Sequence, residues 1–136
     1  MGPVRVVFDT NVFISAFGFG GTPLEAVLRA CRPDCQIVVS EQTLAELGRV
    51  MQYTRLPFTD EERGQYLSVL TREAERVDPD AEPNVIERDP DDNAFLACAT
   101  AAQADYVVSG DEHLLALGKH RDTEIVTPAG FLERIQ

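Results

Sequence analysis

The chain has 136 residues, 44% of them hydrophobic, which is enough to bury the core of a single domain spanning residues 1–136. Twelve basic residues against 23 acidic ones give a net charge of −11, so general electrostatic attraction to nucleic acid is excluded. The odd cysteine count (Cys31, Cys35, Cys98) argues against a disulfide framework, and no long apolar run or charged-then-apolar leader is present, so a cytoplasmic protein with no membrane span is expected.

Val4 to Phe8 is almost wholly apolar and β-branched, as in a strand buried on both faces. It stops at Asp9, Thr10 and Asn11. In open α/β sheets, ligands bind at the carboxyl ends of the strands, so Asp9 is a candidate site residue. Capping of a following helix or ordering of a turn would explain Asp9 equally well on this stretch alone. Residues 17–23, FGFGGTP, read as a loop with Thr22 as N-cap and Pro23 at the first helical position. The glycines match neither a dinucleotide fingerprint nor a phosphate-binding loop. Leu24, Val27 and Leu28 then mark a helix to about Cys31.

Gln36 to Val39 reads as a second strand. Ser40 caps a helix to about Gln52, with Leu44, Leu47 and Met51 inward and Glu46 on the border of that face. Residues 59–75 open with a capping box, Thr59 and Glu62, and bury Tyr66, Leu67 and Leu70. Residues 76–88 suit a loop with one short strand around Val85 and Ile86. Asp89 is a natural N-cap with Pro90 behind it, starting a helix with Phe95, Leu96, Ala99 and Ala102 inward. Asp92 shares that inward face at the helix start. Asp105 to Val108 is another buried strand, ending in Ser109, Gly110 and Asp111 in a repeat of the first pattern. A helix over 112–117, a strand over 124–127 and a terminal helix begun by Thr127 and Pro128 complete the chain.

This alternation predicts a three-layer α/β domain with a mostly parallel sheet. Right-handed crossovers bring Asp9 and Asp111 to one edge, which Asp92 and Glu46 can reach from their helices. Four carboxylates together repel one another, and a divalent cation resolves the conflict. All-oxygen ligands favour Mg2+ or Mn2+, and the chemistry implied is metal-assisted phosphodiester hydrolysis. Cys31, Cys35, His113 and His120 complete no zinc site.

Together FDTNVFISA, SEQTLAEL, DPDDNAFLACA, VVSGDEHLL and the closing IVTPAGFLERI resemble a PIN-domain ribonuclease over nearly the whole chain. Many such proteins are the toxin halves of bacterial toxin–antitoxin pairs. The resemblance implies a PIN fold, an acidic quartet of Asp9, Glu46, Asp92 and Asp111, and Asn11 and Ser109 as ordering polar residues. It also implies Mg2+ or Mn2+ dependence, a single-stranded RNA substrate, a cognate antitoxin and a homodimer. Given the acidic surface, Arg49 and Arg55, at or after the end of the Glu46 helix, and Arg5 in the first strand are candidates to hold RNA.

Three other readings compete. A receiver-like phospho-acceptor domain would share the sheet and acidic pocket but needs a lysine at a late strand end. The one lysine, Lys119, lies beyond the helix after Asp111. An aspartyl-nucleophile phosphatase needs a second aspartate where Asn11 stands. A PIN fold that binds RNA or a partner without cutting is the other alternative, and the complete quartet argues against it.

Overall fold

The computed structural model describes residues 2–53, 56–79 and 90–136, with side chains of its last segment from residue 93 onward. The elements are β1 (Val4–Phe8), α1 (Thr10–Phe19), α2 (Gly21–Ala30), β2 (Cys35–Ser40), α3 (Glu41–Val50), α4 (Asp60–Glu73) and β3 (Glu75–Val77). They continue as α5 (Pro90–Ala102), β4 (Tyr106–Val108), α6 (Glu112–Leu117), β5 (Lys119–His120), β6 (Thr123–Val126) and α7 (Pro128–Ile135). The sheet order is β3-β2-β1-β4-β6-β5, parallel except for β5 against β6.

Both faces of the sheet are covered, so the expected three-layer α/β architecture holds. Val6, Phe8, Ile37 and Val39 pack with Phe13, Val27, Leu47 and Phe131 on one side. Val7, Val38 and Val107 pack with Phe95, Leu96, Ala99 and Leu114 on the other. Adjacent strand residues point to opposite layers, which is why β1 is a continuous apolar run. Among the described residues no helix is long and apolar enough to cross a membrane.

Several local features differ from the sequence expectation. Residues 10–19 form a helix, so FGFGGTP is not a loop. Asp9 caps α1 through the Asn11 N–H, and Gly20, at φ 77°, breaks the chain before α2. Val12, Phe13, Ile14 and Ala16 are all buried, and such a helix shows no polar face to reveal its period. Thr22 consequently lies inside α2 rather than capping it. The helix expected to reach residue 75 ends at Glu73, and Glu75 to Val77 pair in parallel with Val38 to Ser40. The Arg5 guanidinium binds Glu75 across β2, its Nε donates to the Ala102 carbonyl at 2.8 Å, and the Arg5 N–H donates to Asp105 at 2.9 Å. That pairing holds the Glu75 carboxyl below the usual carboxylate range. Arg5 thus knits the sheet rather than standing ready for RNA. A β5–β6 hairpin, turning through Arg121 at φ 55°, was also absent from the expected elements. The strand expected around Val85 and Ile86, and the Asp89 cap, lie outside the described residues.

Candidate functional site

The site begins where β1 ends. Because Phe8 is buried, the next residue emerges inside the protein, and Asp9 is only 4% exposed. Its N–H donates to the Val108 carbonyl at 2.9 Å, which places the ends of β1 and β4 side by side. Its Oδ1 accepts the Asn11 N–H at 3.1 Å. Its Oδ2 accepts the Ser109 hydroxyl at 2.7 Å. Two donors and the N-terminus of α1 all favour a negative charge at this position.

Ser109 is fully buried at the end of β4, with its N–H on the Val126 carbonyl at 2.9 Å. While its hydroxyl donates to Asp9, the same oxygen accepts the Asp111 N–H at 2.9 Å. Asp111 caps α6, its Oδ1 accepting the His113 and Leu114 N–H groups at 2.8 and 3.2 Å. Asp9 and Asp111 are therefore joined through one hydroxyl, at the edge where the topology predicted they would meet.

Glu46 enters from α3. Ser40 caps that helix with a reciprocal Thr43 box, fixing its start at the end of β2. The buried Thr10 hydroxyl donates to Glu46 Oε2 at 2.9 Å, so Glu46 is tied to the residue directly after Asp9. In the sequence Thr10 stands out only as one of three short polar residues after β1, and its place in that triplet is the available signal.

Asp92 lies in the first turn of α5. That helix ends near Ala102, whose carbonyl is held by Arg5 in the first half of β1. Its 13 residues, about 20 Å at 1.5 Å each, return its first turn to the opposite edge, where Asp9 lies. The Asp92 side chain lies outside the described residues. Asn93, buried directly after it, is a site neighbour that the sequence reading misses, although a polar residue before Ala94-Phe95-Leu96 is a visible signal. Asn11 contributes its backbone N–H to Asp9 while its side chain is exposed. Arg49 is exposed one turn beyond Glu46. Arg55 lies outside the described residues.

Among the described residues no three carboxylate, histidine or cysteine side chains converge closely enough to hold a metal ion. The donor chemistry nonetheless fits a hard cation: Asp9, Glu46 and Asp111 offer only oxygens, and both Asp9 and Glu46 are held in place by hydroxyls. Lys119 stands elsewhere, in a cavity with Asp105, Tyr106, Asp122 and Glu124, level with the start of β4. A receiver-like use of the acidic edge therefore lacks its lysine.

The PIN domain family model matches residues 5–113. The chain belongs to the PIN-domain family. Solved structures similar to this PIN domain include VapBC2 from Rickettsia felis bound to a DNA fragment from its promoter, at 15% identity and TM-score 0.66, covering 90% of this chain and 97% of that one. VapBC-1 from nontypeable Haemophilus influenzae is similar at 14% identity and TM-score 0.66, covering 93% and 99%. A Pyrobaculum aerophilum protein follows at 17% identity and TM-score 0.62, covering 97% and 89%. At these identities the likeness is one of fold. No curated protein matches the chain.

Proposed function

We propose that this PIN domain is a divalent-metal-dependent endoribonuclease acting on single-stranded RNA. The observation that carries the reading is the Asp9–Ser109–Asp111 bridge, with Glu46 held beside it by Thr10. In this reading Asp9, Glu46, Asp92 and Asp111 hold Mg2+ or Mn2+. When bound, such an ion lowers the pKa of a coordinated water and stabilises charge on the phosphodiester. The chain's own part is positioning. Ser109 and the Asn11 N–H orient the Asp9 carboxylate, and Thr10 orients that of Glu46. Phe8 and Val108, the buried residues directly before Asp9 and Ser109, anchor the two strand ends in the core.

A cytoplasmic toxin with a cognate antitoxin, acting as a homodimer, is the biological setting we propose; the fold likeness to the two VapBC structures supports it. A gene for a small DNA-binding protein beside this one is the expected companion. The activity is tested with labelled single-stranded RNA, with and without Mn2+. Cleavage that requires Mn2+, stops with EDTA and is lost in Asp92→Asn is expected. Cleavage that survives both EDTA and Asp92→Asn overturns the assignment to this site.

A further inference from the structure

We infer that Arg76, on the edge strand β3, is a phosphate contact for the RNA strand, an inference that rests on the ribonuclease reading above. The sheet register places it. Arg76 pairs in parallel with Val39 of β2. β2 runs beside β1 with Ile37 level with Val6, and the same offset sets Val39 level with Phe8. Phe8, Val39 and Arg76 thus form one row across three strands, and Asp9 directly follows the first of them. At about 4.8 Å per strand, the Arg76 backbone stands roughly 10 Å from that of Phe8, at the edge of the sheet where Asp9 and Asp111 meet. Val77 packs into the α5 layer, and Glu75 faces the same way, bound to the Arg5 that holds the Ala102 carbonyl of α5. Arg76, between them, therefore points to the opposite layer. That layer holds Phe8, Val39 and the Leu47 of α3, the helix that carries Glu46. Phe8 and Val39 are buried in it, whereas Arg76 is exposed, so the row passes from core to surface at an arginine.

Charge bookkeeping over the rest of the chain points to the same residue. At a net −11, a polyanionic strand needs local cations that no carboxylate has already neutralised. Arg5, Arg29, Arg63 and Arg134 are paired to Glu75, Asp34, Asp60 and Glu124, and Arg72 lies 3.7 Å from Glu73. Among the described residues, Arg32, Arg76 and Arg121 have no carboxylate partner. Arg32 precedes the start of β2 and Arg121 the start of β6, so both stand at the opposite edge of the sheet. Of these three, Arg76 is the one at the acidic edge. Its neighbour Glu75 is on the other face and already bound to Arg5. A charge on an edge strand also discourages pairing with a second sheet. That role would be met by the charge alone and would leave RNA affinity untouched, which makes the two separable.

The test uses fluorescein-labelled single-stranded RNA and the full chain carrying Asp9→Asn, so that RNA binds without being cut. Arg76→Ala on that chain should weaken binding about 3- to 10-fold, by the same factor for U-rich and A-rich strands, because a phosphate contact reads no base. The slope of log affinity against log salt should become shallower by about 0.7, the value for one phosphate of a single strand. Arg76→Lys should retain most of both. Arg32→Ala removes the same charge at the opposite edge, about 20 Å away along β2 and beyond the Debye length at about 0.15 M salt, and should stay within about twofold of its parent. Melting curves check that each variant is folded. Equal losses from Arg76→Ala and Arg32→Ala, or an unchanged salt slope in Arg76→Ala, overturn the contact and leave the ribonuclease reading standing. If the Asp9→Asn chain binds no RNA and the wild type cuts none with Mn2+, the ribonuclease reading falls, and the contact with it.

Discussion

Ser109 Oγ lies 2.7 Å from Asp9 Oδ2, a pair of residues 100 positions apart in the chain, and the same oxygen receives the Asp111 N–H. One buried hydroxyl thus sets the relation between two carboxylate residues on neighbouring strand ends. Ser109→Ala removes a donor and an acceptor at once and leaves a buried carboxylate oxygen and an N–H short of a partner. A loss of about 1–3 kcal/mol in unfolding free energy is expected, together with slower RNA cleavage. Denaturant melts and cleavage assays on the same preparation measure both. A variant as stable and as active as the wild type would remove Ser109 from the site.

Asp9→Asn is the more delicate change. Charge crowding alone would make the metal-free variant more stable than the wild type. The hydrogen bonds point the other way. An amide can still accept the Asn11 N–H through its oxygen, but its NH2 then faces Ser109, whose oxygen already accepts from Asp111. Metal-free Asp9→Asn should therefore melt lower. It should also gain less from added Mn2+, because a ligand bound only by the folded state stabilises that state by mass action. Four melting curves decide the matter, and an equal Mn2+ shift in both proteins would take Asp9 out of the metal site.

The strand-end carboxylates were legible because burial announces itself. Val4 to Phe8 and Tyr106 to Val108 are apolar runs that end in Asp9 and Ser109, which marks the sheet edge, while the capping role that Asp9 also plays on α1 could not be told apart from a site role on sequence alone. Helix α1 was hidden by the same property: with Val12, Phe13, Ile14 and Ala16 all buried, there is no periodic stripe to read. The β3 strand is three residues long, and its pairing with β2 and the Arg5–Glu75 contact are remote in sequence, so no local pattern encodes them. Thr10 was visible as a polar residue, but its partner Glu46 lies 36 positions away, so their bond had no sequence signature.

His120 should make stability depend on pH. Its Nε2 is buried with no hydrogen-bond partner, and burial, with Arg121 adjacent, pushes the imidazole below its ordinary pKa. The folded protein thus favours the neutral ring. Between the folded pKa and the unfolded value near 6.5, the unfolded chain binds more protons, so stability rises with pH. The contribution is complete above the unfolded pKa and is lost as pH falls through the folded one. Denaturant unfolding at pH 5 and pH 7.5 should show a larger loss in the wild type than in His120→Gln. Identical losses would contradict the burial of that nitrogen.

Thiol chemistry tests the packing of α5 against the sheet. Cys31 is exposed, whereas Cys35 and Cys98 are buried. Burial pushes the Cys98 thiol up to about 12, only partly offset by its hydrogen bond with Ser40, so its reactive thiolate is scarce. Iodoacetamide should add one label to the native protein and three to the unfolded one, read by mass. Fast native labelling of Cys98 would contradict the position of α5.

The most direct test of the acidic edge as the reacting site is the single-turnover rate of single-stranded RNA cleavage at saturating Mn2+, measured for the wild type and for Asp9→Asn. If Asp9, fixed by Ser109 and the Asn11 N–H, holds the ion that stabilises charge on the phosphodiester, the rate should fall about 100-fold or more while the variant remains folded. Equal rates in two folded proteins would contradict it.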